Sequence, residues 1–179
     1  MNRPRLYIDV DGPLNPWAAK RECRPDGYTT FRYYRTEGAF AGGTSTRLRV
    51  WLNPEHGRQL LRLADFYELT WATSWGVEAN TWIGPKLGLP ELPVVAWPTM
   101  YDAGPEKTFW KTRHLVSHAA GTAFAWIDDE LGEPDRNFVD YYHDGQALLH
   151  HVDPRMGLRD SDFDTIESWA RMIASAQAT

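Results

Sequence analysis

The chain has 179 residues, 42% hydrophobic and 24% charged, with a net charge of −5, the size and composition of one globular domain with room for a small insert. No apolar run approaches the roughly 18 residues of a membrane-spanning helix, and the acidic balance argues against a sequence-independent hold on nucleic acid by the whole surface. The amino terminus enters a strand-like run without the apolar stretch of a secretory signal, and the single cysteine, Cys23, has no disulfide partner; both features read as cytoplasmic.

Leu6-Tyr7-Ile8 opens a series of short apolar runs of strand length, and it ends in Asp9-Val10-Asp11-Gly12. Residues 13–52 then read as a β-hairpin insert, because 28–35 and 46–52 alternate polar with apolar side chains around a Gly-rich turn near 41–45. Residues 17–52 hold seven basic and three acidic residues, a local net charge of +4 that leaves the rest of the chain near −9. Asn53 as N-cap and Pro54 at the first helical position start a helix over 54–65. A strand over 66–72 follows and ends in Thr73-Ser74. Next come a helix over 77–87, a strand over 93–97 and a helix over 107–119. The strand over 123–127 ends in Asp128-Asp129-Glu130, and a strand over 147–152 and a helix over 162–174 close the series.

Strands alternating with helices predict a doubly wound, mainly parallel, Rossmann-like α/β sheet, with the hairpin inserted after the first strand. The whole chain, 1–179, is read as one domain and 13–52 as a flap within it. In such sheets ligands bind beyond the carboxyl ends of the strands, where the hairpin would lie.

Asp9 and Asp11 at a strand end would sit about 6–7 Å apart on one face of an extended chain. Two charges at a buried strand end repel and are costly to desolvate; a divalent cation removes both objections, and hard carboxylate oxygens favour magnesium. Asp128 and Asp129 end a second strand of the same kind, so the two ends would converge on an oxygen-rich cation site. Thr73 and Ser74 offer hydroxyl donors to a phosphoryl oxygen. Lys111, or less favourably Lys107, offers a balancing positive charge. Gly12 allows a sharp exit from the sheet, whereas Pro13 removes a backbone donor from that loop.

The order of these motifs, an acidic pair after the first strand, Thr after the second, Lys before the fourth and an acidic pair after it, resembles the haloacid dehalogenase-like (HAD) superfamily of phosphotransferases. More narrowly, DVDGPLNPW, LTWATSW, WK and AWIDDE resemble the HAD domains associated with bacterial RNA repair proteins; the likeness spans residues 5–170. It implies a magnesium-dependent phosphatase in which Asp9 is the nucleophile that forms an aspartyl-phosphate and Asp11 the general acid and base. It further implies that Thr73 and Lys111 stabilise the phosphoryl oxygens and that Mg2+ is held by Asp9, Asp11 through its carbonyl and Asp128, with Asp129 either a further ligand or a support behind the ligands.

The insert is too short to enclose a small metabolite as a separate cap domain would. An open site suits a large phosphorylated substrate, a nucleotide or a nucleic acid end. Gly12, Ser74 and Trp75 are candidate contacts to it, with Trp75 placed to stack on a base, and Arg32, Arg35, Arg47 and Arg49 of the hairpin, interleaved with Phe31, Tyr33, Tyr34 and Trp51, are candidates to present charge and aromatic faces to it. Strand alternation, however, sends Arg32 and Arg35 to opposite faces. Two other readings stand beside this one: a HAD-like binding module without turnover, and a phosphatase of small metabolites.

Overall fold

A computed structural model describes residues 3–36, 45–102 and 104–177. Four parallel strands form the central sheet: β1 (Arg5–Ile8), β4 (Glu68–Trp71), β5 (Phe124–Asp128) and β6 (Ala147–His151), in the order β4-β1-β5-β6. A separate antiparallel pair, β2 (Thr29–Thr36) and β3 (Ser45–Leu52), forms the insert; residues 37–44, which hold most of the Gly-rich turn, lie outside the described residues. The helices are α1 (Pro54–Leu63), α2 (Gly84–Leu87), α3 (Thr112–Ala119), α4 (Glu133–Tyr142) and α5 (Asp160–Gln177). None among the described residues is long and apolar enough to cross a membrane.

The sheet is buried on both faces because successive side chains alternate across it. Leu6 and Ile8 of β1, with Ala125 and Ile127 of β5, pack against Leu60 and Leu63 of α1 and Phe163 and Ile166 of α5. Tyr7, Phe124 and Trp126 point the other way, onto Leu115 of α3 and Val139 of α4. One apolar layer therefore covers each face, the mixed α/β arrangement expected of a Rossmann-like sheet.

Local chemistry sets several boundaries. Asn53 adopts an extended conformation and accepts the Glu55 N–H at 3.0 Å, and Pro54 occupies the first turn of α1. At Gly57 of α1 a Cβ would collide with the Leu87 carbonyl, so this glycine sets how closely α1 and α2 approach.

Three expectations are corrected. The segment 93–97 is no full strand: it touches β4 through a single parallel bridge, Trp71 to Val94, because Pro93 and Pro98 leave few donors to extend the ladder. The helix over 77–87 is a π-helical turn (Ala79–Ile83) followed by the short α2. The helix over 107–119 begins only at Thr112, since Glu106 and Lys107 take positive φ of 57° and 64°. Helix α4 was not anticipated. Its markers are Pro134 in the first turn and Asp135, whose Oδ2 accepts the Gly132 N–H at 2.8 Å.

His56 of α1 is buried between Tyr28 and Phe163, its Nδ1 without a hydrogen-bond partner. Burial lowers its pKa from 6.5 to about 4, against smaller opposing effects of the Leu158 backbone, Asp160 and Asp162. Below pH 6.5 the unfolded chain binds a proton that the folded chain refuses, so this histidine favours the fold above that pH and loses its contribution as pH falls toward 4. The shift corresponds to about 3 kcal/mol. Thermal unfolding of His56→Leu between pH 7.5 and pH 4 should show a shallower loss of stability than wild type; parallel curves would show that the histidine is not held neutral.

Candidate active site

The chain leaves β1 toward β4 on one side and later returns to β5 on the other, so the strand order reverses between β1 and β5. A crevice opens at such a switch point. Both acidic motifs end there: the Asp9 N–H donates to the Ile127 carbonyl at 3.1 Å, which places Asp9 beside Asp128 one step past the last ladder pair, Ile8 to Ile127.

Lys111 lies between them. Its Nζ is 3.0 Å from Asp9 Oδ2 and 2.8 Å from Asp128 Oδ2, with all three side chains buried. Asp128 also accepts the Trp126 indole N–H at 3.1 Å and the Glu130 backbone N–H at 3.0 Å. Burial alone would lower the pKa of Lys111, but the Asp128 and Asp9 carboxylates outweigh it and hold the ammonium charged. Burial pushes Asp9 well above its ordinary value; the Lys111 charge opposes this, and the charges of Asp128 and Asp11 reinforce it.

Carboxylate oxygens of Asp9, Asp128 and Asp129 lie within 4.8 Å of one another. With Asp11 beside them and Lys111 as the compensating cation, the group carries more negative than positive charge in a poorly solvated place. Such a set suits a hard divalent cation such as Mg2+. Asp129 is pushed up to about 6, by burial first and then by the Asp128 charge, and its Oδ2 accepts the Trp17 indole N–H at 3.1 Å.

Asp11 is held differently. Its Oδ1 accepts from Asn15 Nδ2 at 2.7 Å and its Oδ2 from the Trp75 indole at 2.9 Å, and its carboxylate stands outside the Asp9, Asp128 and Asp129 group. Asn15 in turn accepts the Trp51 backbone N–H at 3.0 Å, and Tyr33 meets Trp75 edge-on at 6.1 Å. Both clamps on Asp11 therefore reach back to the hairpin.

Above these groups lies a cavity of about 460 Å3. Asp9, Asp11, Lys111 and Asp129 form its polar floor, Leu48, Arg49 and Val50 of β3 border one side, and Ser74 lies at the end of β4. Trp17, Trp75, Tyr101, Phe109 and Trp110 supply aromatic walls. Gly12 takes φ +91°, and a Cβ there would come within 2.6 Å of Asp129 Oδ1, so its backbone freedom and its missing side chain both let the β1 loop pass under Asp129. The N–H groups of Gly12, Leu14 and Asn15 are taken by carbonyls of the same loop.

Several expected residues lie elsewhere. Thr73 is fully buried, its hydroxyl accepting the Trp75 N–H at 3.3 Å, and Ser74 rather than Thr73 lines the cavity. Lys107 is exposed and does not line it. Arg32 borders a neighbouring groove instead, and the Arg35 and Arg47 side chains lie outside the described residues. Sequence reasoning missed Asn15, Trp17 and Asp135. The last, buried in α4, accepts the Phe109 N–H at 2.7 Å and the Thr112 hydroxyl at 2.5 Å, and so fixes the segment that carries Lys111. Its only sequence signal is the acid in the first turn of a helix.

No family model, curated protein or solved structure matches the chain.

Replacing Lys111 with Met strips two buried carboxylates of their cation. Such losses typically cost about 3–5 kcal/mol, and a bound divalent cation should recover part of it. Urea unfolding of wild type and Lys111→Met, with Mg2+ or with chelator, measures both effects. A loss under about 1 kcal/mol would show that the lysine does not hold the carboxylates.

Proposed function

We propose that the protein is a HAD-like phosphomonoester hydrolase that depends on Mg2+ and works through an aspartyl-phosphate on Asp9, with a nucleotide or a nucleic acid end as substrate. One observation carries this reading: the ends of two adjacent parallel strands bring Asp9, Asp128 and Asp129 together beside a buried Lys111, with Asp11 on the same cavity floor. The motif order that resembles the superfamily thus coincides in space with a donor set suited to a divalent cation.

Asp9, Asp128 and Asp129 would hold Mg2+, which when bound screens the repulsion between a phosphate and the carboxylates. In this reading Lys111 keeps its contact with Asp9 Oδ2, and Oδ1 is the attacking atom. The Asp9 oxygen forms a bond to phosphorus as the ester P–O bond breaks, and the departing oxygen takes a proton from Asp11. Water then adds to phosphorus and yields its proton to Asp11; the Asp9–phosphorus bond breaks and inorganic phosphate leaves. Lys111 balances charge at the equatorial oxygens, and Ser74 takes the hydroxyl-donor role expected of Thr73. Asn15 and Trp75 aim Asp11.

The aromatic walls and Arg49 favour a leaving group with a flat ring and further negative charge, as a nucleotide has. Phosphate release from p-nitrophenyl phosphate should need Mg2+ and fall by a factor on the order of 10³ or more in Asp9→Asn. In a parallel thermal-shift titration, Mg2+ should raise the melting temperature of wild type and not of Asp128→Asn. Turnover that survives Asp9→Asn would overturn the mechanism, and a chain that binds Mg2+ yet releases no phosphate from any ester would be a binding module.

A further inference from the structure

Beside the cavity, across β3, runs a second groove of about 610 Å3. Arg21, Arg24, Arg32 and Arg49 line it, with Glu22 as its single acid, and Arg49 borders both the groove and the cavity. The hairpin register explains how the charges gather. Arg32 lies directly opposite Arg49, and Thr30 opposite Trp51, so alternation turns these four side chains to one face. The partners on the other face, Phe31 with Val50 and Tyr33 with Leu48, pack into the core.

Like charges directly across a two-stranded ribbon are destabilising, yet among the described residues none of the four arginines forms an ion pair. Two of them are instead held by neutral groups. Arg24 donates to the Thr30 hydroxyl at 3.1 Å, and the Arg49 guanidinium lies 3.8 Å over the Trp51 ring. A surface that keeps its cations together without carboxylate partners is built for an external anion with several charges. Trp17, 55% exposed, stands at the rim of the acidic cavity, and Tyr101, 69% exposed, also borders it. Both offer faces for bases to stack on.

We propose that this groove binds the phosphodiester backbone of a single-stranded nucleic acid whose terminal phosphate enters the acidic cavity. The inference rests on the phosphatase reading for the terminal phosphate, but the groove itself does not. The terminal phosphate meets Lys111 and would meet a cation held by Asp9, Asp128 and Asp129, the following phosphates meet Arg49, then Arg32, Arg24 and Arg21, and the bases lie against Trp17 and Tyr101. Asp9 on the cavity floor is only 6% exposed, and a flexible free strand end reaches such a group more readily than a stiff paired end.

Fluorescence anisotropy with a labelled, phosphorylated oligothymidylate of about ten nucleotides, on wild type and on Arg21→Gln/Arg24→Gln, tests the groove directly. Wild type should bind saturably, with log K falling against log salt at about −0.7 for each phosphate neutralised, or about −2 to −3 in all. The double variant should bind about tenfold or more weakly, with a slope shallower by about 1 to 1.5, while its hydrolysis of p-nitrophenyl phosphate stays at the wild-type level. Equal affinity in both proteins, or no saturable binding, would overturn the inference. So would competition by inorganic polyphosphate as effective as competition by unlabelled strand, because the groove would then read charge alone. Failure of the phosphatase reading is a separate result: no phosphate release from any ester, with strand binding intact.

Discussion

The buried ammonium of Lys111 between Asp9 and Asp128 is the interaction on which the rest of the site depends. Two parallel strands that end side by side in carboxylates would push each other apart in a poorly solvated crevice, and Lys111, at 3.0 and 2.8 Å, holds both. Its segment is itself anchored by Asp135 of α4, which accepts from Phe109 and Thr112. Helix α4 thus reaches the Lys111 cluster through these two hydrogen bonds rather than by contributing a side chain to it.

A second dependence runs through the hairpin. Its inner face supplies Tyr33, Val50 and Leu52 to the main core, and its backbone meets Asn15, which together with Trp75 fixes both oxygens of Asp11. Hairpin position and Asp11 orientation are therefore linked by two short paths. The outer face of the same ribbon carries the arginines. One element thus joins a positive groove to a negative floor.

Much of this was legible in the chain. The α/β class and the hairpin follow from apolar runs and alternation, and the acidic pairs stand out because charge at the end of a buried strand calls for a partner. Asn53-Pro54 marked the start of α1 because capping is local chemistry. Where Pro93 and Pro98 bracket an apolar run, composition alone suggested a strand, but the number of available backbone donors limited it to a single bridge. Asn15, Trp17 and Asp135 gave little signal, since each acts through a partner far away in sequence: Trp51, Asp129 and Phe109.

The order of residues by itself determined which side chains end each strand and which face of the hairpin each one takes, because both follow from a periodicity of two along an extended chain. Only the tertiary structure decided which strand ends meet. The reversal of strand order between β1 and β5 put Asp9 beside Asp128, brought Lys111 from a turn before α3 to within 3.0 Å of both, and set Ser74 rather than Thr73 on the cavity wall. These are contacts between residues far apart in the chain, fixed by how the layers pack, and local sequence does not encode them.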